Sequence, residues 1–328
     1  MSLATDVGTL VERGIHYTQQ YDTFSLGAKW AHDLVFGATR LPKDPTKVYT
    51  DFHVHVHKET NLRRMVAEAA KRVDVVAITG RTEDFSHNHH TLDTFLEEAR
   101  RQEMSIDSLG ENVLVAHVNG TPPQVNRTPL YIVRATEVYP EEMLGVVSVG
   151  GKLKREYKTH GEGKLDDAVK DAKDQCPFWF FDHPFSIPAP VISFRYPTSD
   201  EVKARIETFE KYDAAIEVGN HQNTLWMYLS NEIAKAVAEK HGLVGIANSD
   251  THFRVREIGL SRTGFSRDLF DASTEAKFLA SLRKAFSREN KDNLVVGTGY
   301  SSLWSFGNYM VVGGKSSAYQ RLAVKYNL

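Results

Sequence analysis

From Lys47 onward, short runs of consecutive apolar residues alternate with stretches in which apolar positions recur at helical spacing. "KVYTDFHVH" reads as a strand, and "NLRRMVAEAAKR" then places Leu62, Met65, Val66 and Ala69 on one helix face. "VDVVAIT" is a second strand, and "TLDTFLEEARRQ" repeats the helical period with Leu92, Phe95, Leu96 and Ala99. The runs "VLVAHV", "LYIVRATEV" and "LGVVSVG" follow, and "LDDAVKDAKD", "PFWFF", "DEVKARIETFEK", "AAIEV", "LWMYLSNEIAKAVAEKH" and "LVGIAN" continue the alternation. Strands that are apolar throughout, separated by helices, imply a mainly parallel sheet with both faces covered. The expected fold is α/β, a closed or nearly closed TIM-barrel-like sheet. No linker rich in Pro, Gly or Ser interrupts residues 47–290, so that span is expected to be one catalytic barrel. Residues 1–46 are expected as a helical extension packed on the barrel, and residues 291–328 as a tail covering it.

Composition narrows the class of protein. The 328 residues carry a net charge of -2, which supplies no overall electrostatic footprint for wrapping duplex nucleic acid. Cys176 is the only cysteine, so the chain forms no internal disulfide and no thiolate zinc cluster. The opening "MSLATDVGTLVERGIHYTQQ" lacks a basic stretch followed by an apolar run, and no segment has the apolar length of a membrane helix. The expectation is a soluble, cytoplasmic protein with no membrane contact.

The chemistry concentrates in "TDFHVHVHKETN", where His53, His55 and His57 alternate behind an acid. On a β-strand, alternate side chains share a face, and three imidazoles on one face have the geometry of a metal site. His53 and His55 end the first strand, Glu137 ends "LYIVRATEV", His183 follows "PFWFF", and Asp250 and His252 follow "LVGIAN". All lie at or just beyond C-terminal strand ends, the face on which α/β barrels build active sites. Neutral imidazole and carboxylate suit zinc, manganese or iron.

"DFHVHVH", "ATEVYP", "FFDHPF", "AAIEVGN" and "IANSDTHF" occur in the order and at about the spacing of the polymerase and histidinol phosphatase (PHP) domain, and residues 48–265 resemble that family. The resemblance implies a distorted seven-stranded β/α barrel that binds two or three divalent ions and hydrolyses phosphate esters by a metal-bound hydroxide. It implies one ion on His53, His55, Glu137 and Asp250, and a second shared by Glu137 and His183. His252 would serve a third ion or face the substrate, and Asp250 would ligate or accept the nucleophile's proton. Glu217 and Asn220 match a strand end that supports the site in the family.

Departures from the family pattern reduce the expected complement to one or two ions. Thr79-Gly80-Arg81 stands where the family commonly has Thr-Asp-His, and "LGVVSVGG" carries no histidine. Arg81 is a candidate for keeping positive charge against a phosphate where a ligand is lost. Arg195, Arg254, Arg256 and His221 are further candidates for substrate contacts. His87, His89 and His90 in "SHNHH" read most simply as a solvated loop, and His117 as a strand-core histidine. The expected partner is a small phosphorylated substrate or nucleotide. Two other readings are an amidohydrolase-like C-N or C-O hydrolase and a degenerate binding module without turnover.

Overall fold

The computed structural model describes residues 31–32, 35, 42–80, 89–118, 129–157, 161–189, 193–223, 228–252 and 254–300. In chain order the strands are β1 (Lys47–Asp51), β2 (Val75–Gly80), β3 (Ile106–Ser108), β4 (Val113–Ala116), β5 (Leu130–Val138), β6 (Val146–Val149) and β7 (Phe178–Phe181). They continue with β8 (Ile187–Ala189), β9 (Ser193–Arg195), β10 (Ala215–Asn220), β11 (Gly245–Asn248), β12 (Arg262–Ser266) and β13 (Val295–Gly297). The α-helices are α1 (Leu62–Ala70), α2 (Leu92–Arg101), α3 (Leu165–Gln175), α4 (Ser199–Tyr212), α5 (Tyr228–His241) and α6 (Glu275–Ala285).

Each helix begins and faces inward for local reasons. The Asn61 side chain accepts from Arg64 N and starts α1, whose buried residues are Leu62, Met65, Val66 and Ala69. Thr91 and Thr94 form a reciprocal cap on α2, which buries Leu92, Phe95 and Ala99 while Leu96 stays partly exposed. Thr198 and Glu201 do the same for α4, and Asp213 closes that helix in the left-handed region.

The main sheet runs β11-β10-β7-β6-β5-β2-β1-β12-β13. It curls back on itself, because Ala247 N on β11 donates to the Thr263 hydroxyl on β12, and Val54 just past β1 bridges Thr251 just past β11. The result is a nearly closed barrel. The sheet is more mixed than the apolar runs imply: β6 is antiparallel to both β5 and β7, and β12 is antiparallel to β1. The cause is connection length. Only residues 139–145 join β5 to β6, too few for the helical crossover that a parallel neighbour requires. β4 also pairs antiparallel with β5, through Val113↔Val133 to Ala116↔Leu130.

Strand alternation divides the core. Val75 and Ala77, Val133 and Ala135, Phe178 and Phe180, Ala215, Ile246 and Phe265 pack together inside the barrel. Their neighbours in sequence, including Val76, Ile78 and Ile132, face α1 and α2, and Phe181 and Ile216 join the layer with Phe209 and Val237 from α4 and α5. Continuing the interior series by two residues toward the C-terminal strand ends replaces apolar side chains with polar ones. Glu137 follows Ala135, Asp182 follows Phe180, Glu217 follows Ala215 and Asn248 follows Ile246. The barrel interior is therefore apolar below and polar at its mouth. No described helix is long and apolar enough to cross a membrane.

Candidate metal centre

β1 ends at Asp51, before the histidines, so these do not stand on a regular strand. Val48 and Phe52 face the interior, while Tyr49, Val54 and Val56 pack against the outer layer. The alternation thus flips between Phe52 and His53. Asp51 holds this break: its carboxylate accepts from Ser249 N (3.0 Å) and Gly259 N (2.8 Å). Uninterrupted alternation from Val48 would have sent His53 and His55 outward. The flip turns both inward, with ring centroids 5.0 Å apart.

The two rings are held from behind. His55 Nδ1 lies 3.0 Å from the Thr79 carbonyl, which can only accept, so Nδ1 carries the hydrogen and Nε2 keeps its lone pair. His53 Nδ1 lies 3.4 Å from Glu217 Oε1. Glu217 itself is buried and accepts from Asn248 Nδ2 (2.8 Å), Asn220 Nδ2 (2.9 Å) and His183 N (2.9 Å). In front, His53 Nε2 is 3.3 Å from Glu137 Oε1 and 3.4 Å from Asp250 Oδ1, and His55 Nε2 is 3.4 Å from Glu137 Oε2 and 3.6 Å from Asp250 Oδ1. His53 Nε2 and Asp250 Oδ1 are buried and hydrogen-bonded to no described group. Two imidazole lone pairs and two carboxylates converging on one buried point are a donor set for a divalent cation.

Among the described residues, three groups each bring their donor atoms within 4.8 Å of one another: His53, His55 and Glu137; His55, Asp250 and His252; and Glu137, Asp182 and His183. Asp182 is a member that the sequence reading missed, although its two-residue offset from Phe180 was a signal for an inward-facing side chain. Its Oδ1 is buried and hydrogen-bonded to no described group, and its Oδ2 accepts from the Tyr139 hydroxyl at 2.8 Å. That hydroxyl also lies 2.9 Å from His183 Nε2. The backbones of His183 (φ 20°) and Asp250 (φ 49°) occupy the left-handed region, which non-glycine residues enter rarely and mostly where surrounding structure imposes it.

The electrostatics follow from burial and crowding. Burial opposes charge on His53, yet the Asp250 and Glu217 carboxylates outweigh it and hold the imidazole well above its usual range. Burial likewise opposes ionisation of Asp250, but His53, His252 and His183 hold its carboxyl well below the usual range. Asp182 is pushed up to about 7 by burial, with His183 opposing. Without an ion, protons on His53 and on Asp182 offset the buried charge, and a cation would compete for both sites.

The remaining candidates separate. His252 stacks on His55 with ring centroids 4.5 Å apart, its Nε2 3.1 Å from Asp250 Oδ1. His57 differs from its two predecessors because its Nδ1 accepts from Glu59 N at 3.2 Å, which puts the hydrogen of the neutral ring on Nε2. The reading of residues 87–90 as a solvated loop is corrected for its end. His90 is buried, its N donating to the Val56 carbonyl, and His89 lies 5.7 Å from the His55 ring and 6.0 Å from that of His252. His57↔His89 bridging brings that segment against the stretch that carries His53 and His55. His117 is also corrected: β4 ends at Ala116, and His117 is exposed and paired with Asp107 at 2.7 Å.

His221 is buried beside the barrel mouth but outside these groups, with Nδ1 2.9 Å from the Gly299 carbonyl and Nε2 3.8 Å from Glu257 Oε1. Arg254 is partly buried, and its carbonyl accepts from Glu257 N; Arg256 is exposed. Arg81, His87 and the Arg195 side chain lie outside the described residues.

Fold and site together define an α/β barrel with a buried histidine–carboxylate centre at the C-terminal mouth of its strands. A family model described as PHP-associated matches residues 229–285, from α5 to the end of α6. PsfC from Pseudomonas syringae PB-5123 shares the fold, with a TM-score of 0.50 and 15% identity over 86% of this chain and 100% of that one. Over residues 229–285 the chain is similar to the PHP-associated family, and it has the fold of PsfC. A lesion-specific endonuclease Q from Pyrococcus furiosus aligns with a TM-score of 0.45 and 15% identity over 78% of this chain and 59% of that one. An endonuclease Q in complex with a 27-mer duplex substrate, with an abasic lesion at the active site, aligns with a TM-score of 0.42 and 15% identity over 73% and 56%. No curated protein matches the sequence.

The expectation that duplex nucleic acid is excluded is corrected, because it rests on net charge alone. The net charge of -2 bears only on the duplex, whereas the small phosphorylated substrate or nucleotide follows from the family resemblance. Net charge sums the whole surface, whereas contact with a phosphate backbone depends on the charge of one face.

Proposed function

We propose that this chain is a metal-dependent hydrolase of phosphate esters. The observation that carries the reading is the pairing of His53 and His55: each ring is anchored at Nδ1 by an acceptor behind it, and each turns Nε2 toward the same two buried carboxylates. The donor set suits zinc, manganese or iron. His53, His55, Glu137 and Asp250 are proposed to hold one ion, and Glu137, Asp182 and His183 a second. When bound, such ions supply Lewis acidity toward a phosphate and lower the pKa of an attacking water.

The protein's own groups supply the rest. Glu217 fixes the orientation of His53 and, through His183 N, the turn after β7. Asn220 Nδ2 joins Glu217 Oε2 to Asp250 Oδ2 (2.9 and 3.1 Å), so the carboxylates of β10 and of the β11 loop are set together. His252, stacked at the edge of the centre, is proposed to face the substrate and protonate the leaving oxygen. Arg81, which follows β2 in sequence, is proposed to orient the phosphate, with Arg195, Arg254 and His221 as further substrate contacts.

The test is a panel of phosphomonoesters and phosphodiesters, duplex and single-stranded DNA among them, assayed with and without added divalent metal. Metal-dependent phosphate release or strand cleavage that disappears in His53→Ala/His55→Ala is the expected result. Turnover of lactones or cyclic amides in place of phosphate esters would overturn the proposal.

A further inference from the structure

The two halves of the centre differ in donor chemistry, and this difference selects between ions. The first half presents two imidazole nitrogens, His53 Nε2 and His55 Nε2, with carboxylate oxygens of Glu137 and Asp250 at 3.3–3.6 Å. The second presents one imidazole nitrogen, His183 Nε2, among oxygens. Glu137 and Asp182 lie within 4.8 Å, the Tyr139 hydroxyl at 2.9 Å, and Asp250 Oδ2 at 3.9 Å.

The oxygen-rich half is built into the fold. β6 carries Val146, Val147, Ser148 and Val149 and offers no imidazole. Asp182 enters instead from the end of β7, where Gly145 leaves it room: a Cβ on Gly145 would come within 1.8 Å of Asp182 Oδ1. Asp182 Oδ1 is buried and hydrogen-bonded to no described group. Nitrogen-rich sites with few ligands favour zinc, whereas oxygen-rich sites suit harder ions of higher coordination number such as manganese or magnesium.

Building on the metal-centre reading above, we infer that the centre is heterobinuclear, with a zinc-type ion on His53 and His55 and a harder, manganese-type ion on Asp182 and His183. Zinc binds more tightly than manganese to both donor sets, but its advantage is larger where nitrogen dominates. When zinc is limiting, it therefore fills the His53–His55 half and leaves the other to manganese.

The experiment loads chelator-stripped full-length chain with a single equivalent of Zn²⁺ and an excess of Mn²⁺, removes free metal, and reads bound metal by elemental mass spectrometry and electron paramagnetic resonance. The expected result is one zinc and one manganese per chain, with the hyperfine sextet of an isolated Mn²⁺. Asp182→Asn is expected to weaken manganese retention at least about tenfold while keeping zinc, and His53→Ala to send the zinc onto Asp182 and His183 and displace manganese from them, with loss of the isolated Mn²⁺ sextet. Exchange-coupled manganese pairs beside zinc-only molecules would show zinc spread over both halves and overturn the inference. So would equal loss of both metals in Asp182→Asn. Both results leave a binuclear hydrolase standing. A wild-type chain that takes up neither metal overturns that reading as well.

Discussion

Gly145 and Asp182 share one space: the position a Gly145 Cβ would occupy lies 1.8 Å from Asp182 Oδ1. The missing side chain just before β6 is what lets a carboxylate just past β7 reach the barrel mouth. Gly145→Ala is therefore expected to displace Asp182, weaken the second ion about tenfold or more, and cost about 1–3 kcal/mol of stability. Metal titration and denaturant unfolding of the variant check both effects. Unchanged metal affinity would separate Asp182 from the centre.

Glu217 accepts from donors on four groups, His53, Asn248, Asn220 and His183. Glu217→Gln turns one acceptor oxygen into a donor facing other donors. Metal affinity is expected to fall about 10–100-fold and stability by about 1–3 kcal/mol. Isothermal titration with Zn²⁺ and thermal unfolding of the stripped protein report the two losses separately.

Metal removal should destabilise the wild type far more than a His53→Ala/His55→Ala variant. An ion bound only by the folded state stabilises by about 2.7 kcal/mol when free metal is 100 times the dissociation constant. A chelator should lower the wild-type Tm and leave that of the variant nearly unchanged. Equal shifts in both would argue that the chelator acts elsewhere.

His90 gives a pH signature away from the donor groups. Burial pushes its imidazole down to about 4 from 6.5, although Glu98 opposes the shift. Between those values the unfolded chain binds the extra proton, so the stability this residue contributes is complete above about 6.5 and is lost as pH falls through about 4. One proton accounts for a slope of at most about 1.4 kcal/mol per pH unit. His90→Gln should flatten the stability profile between pH 4 and 6.5, measured by denaturant midpoints. An unaltered slope would place the titrating group elsewhere.

Local sequence carried much of the fold. The apolar spacing of Leu62, Met65, Val66 and Ala69 named the buried face of α1 in full, because helical period alone decides which side chains share a face. The same period named Leu92, Phe95 and Ala99 on α2, where Leu96 lies at the margin of the face. Strand parity carried information that was there to be used: Asp182 stands two residues beyond Phe180, as Glu137 stands two beyond Ala135. Burial in the barrel mouth could be inferred for both.

What the sequence by itself determined, then, is the alternation of elements, the inward faces of the helices, and the kinds of donor at the strand ends, since each rests on residues close together in the chain. Tertiary structure decided the rest. It reversed β6, because the seven residues 139–145 cannot carry a crossover. It flipped the alternation at Phe52–His53, because Ser249 and Gly259, some 200 residues away, hold Asp51. It distinguished His57 from His53 and His55, because which nitrogen keeps its lone pair depends on a hydrogen-bond partner rather than on spacing.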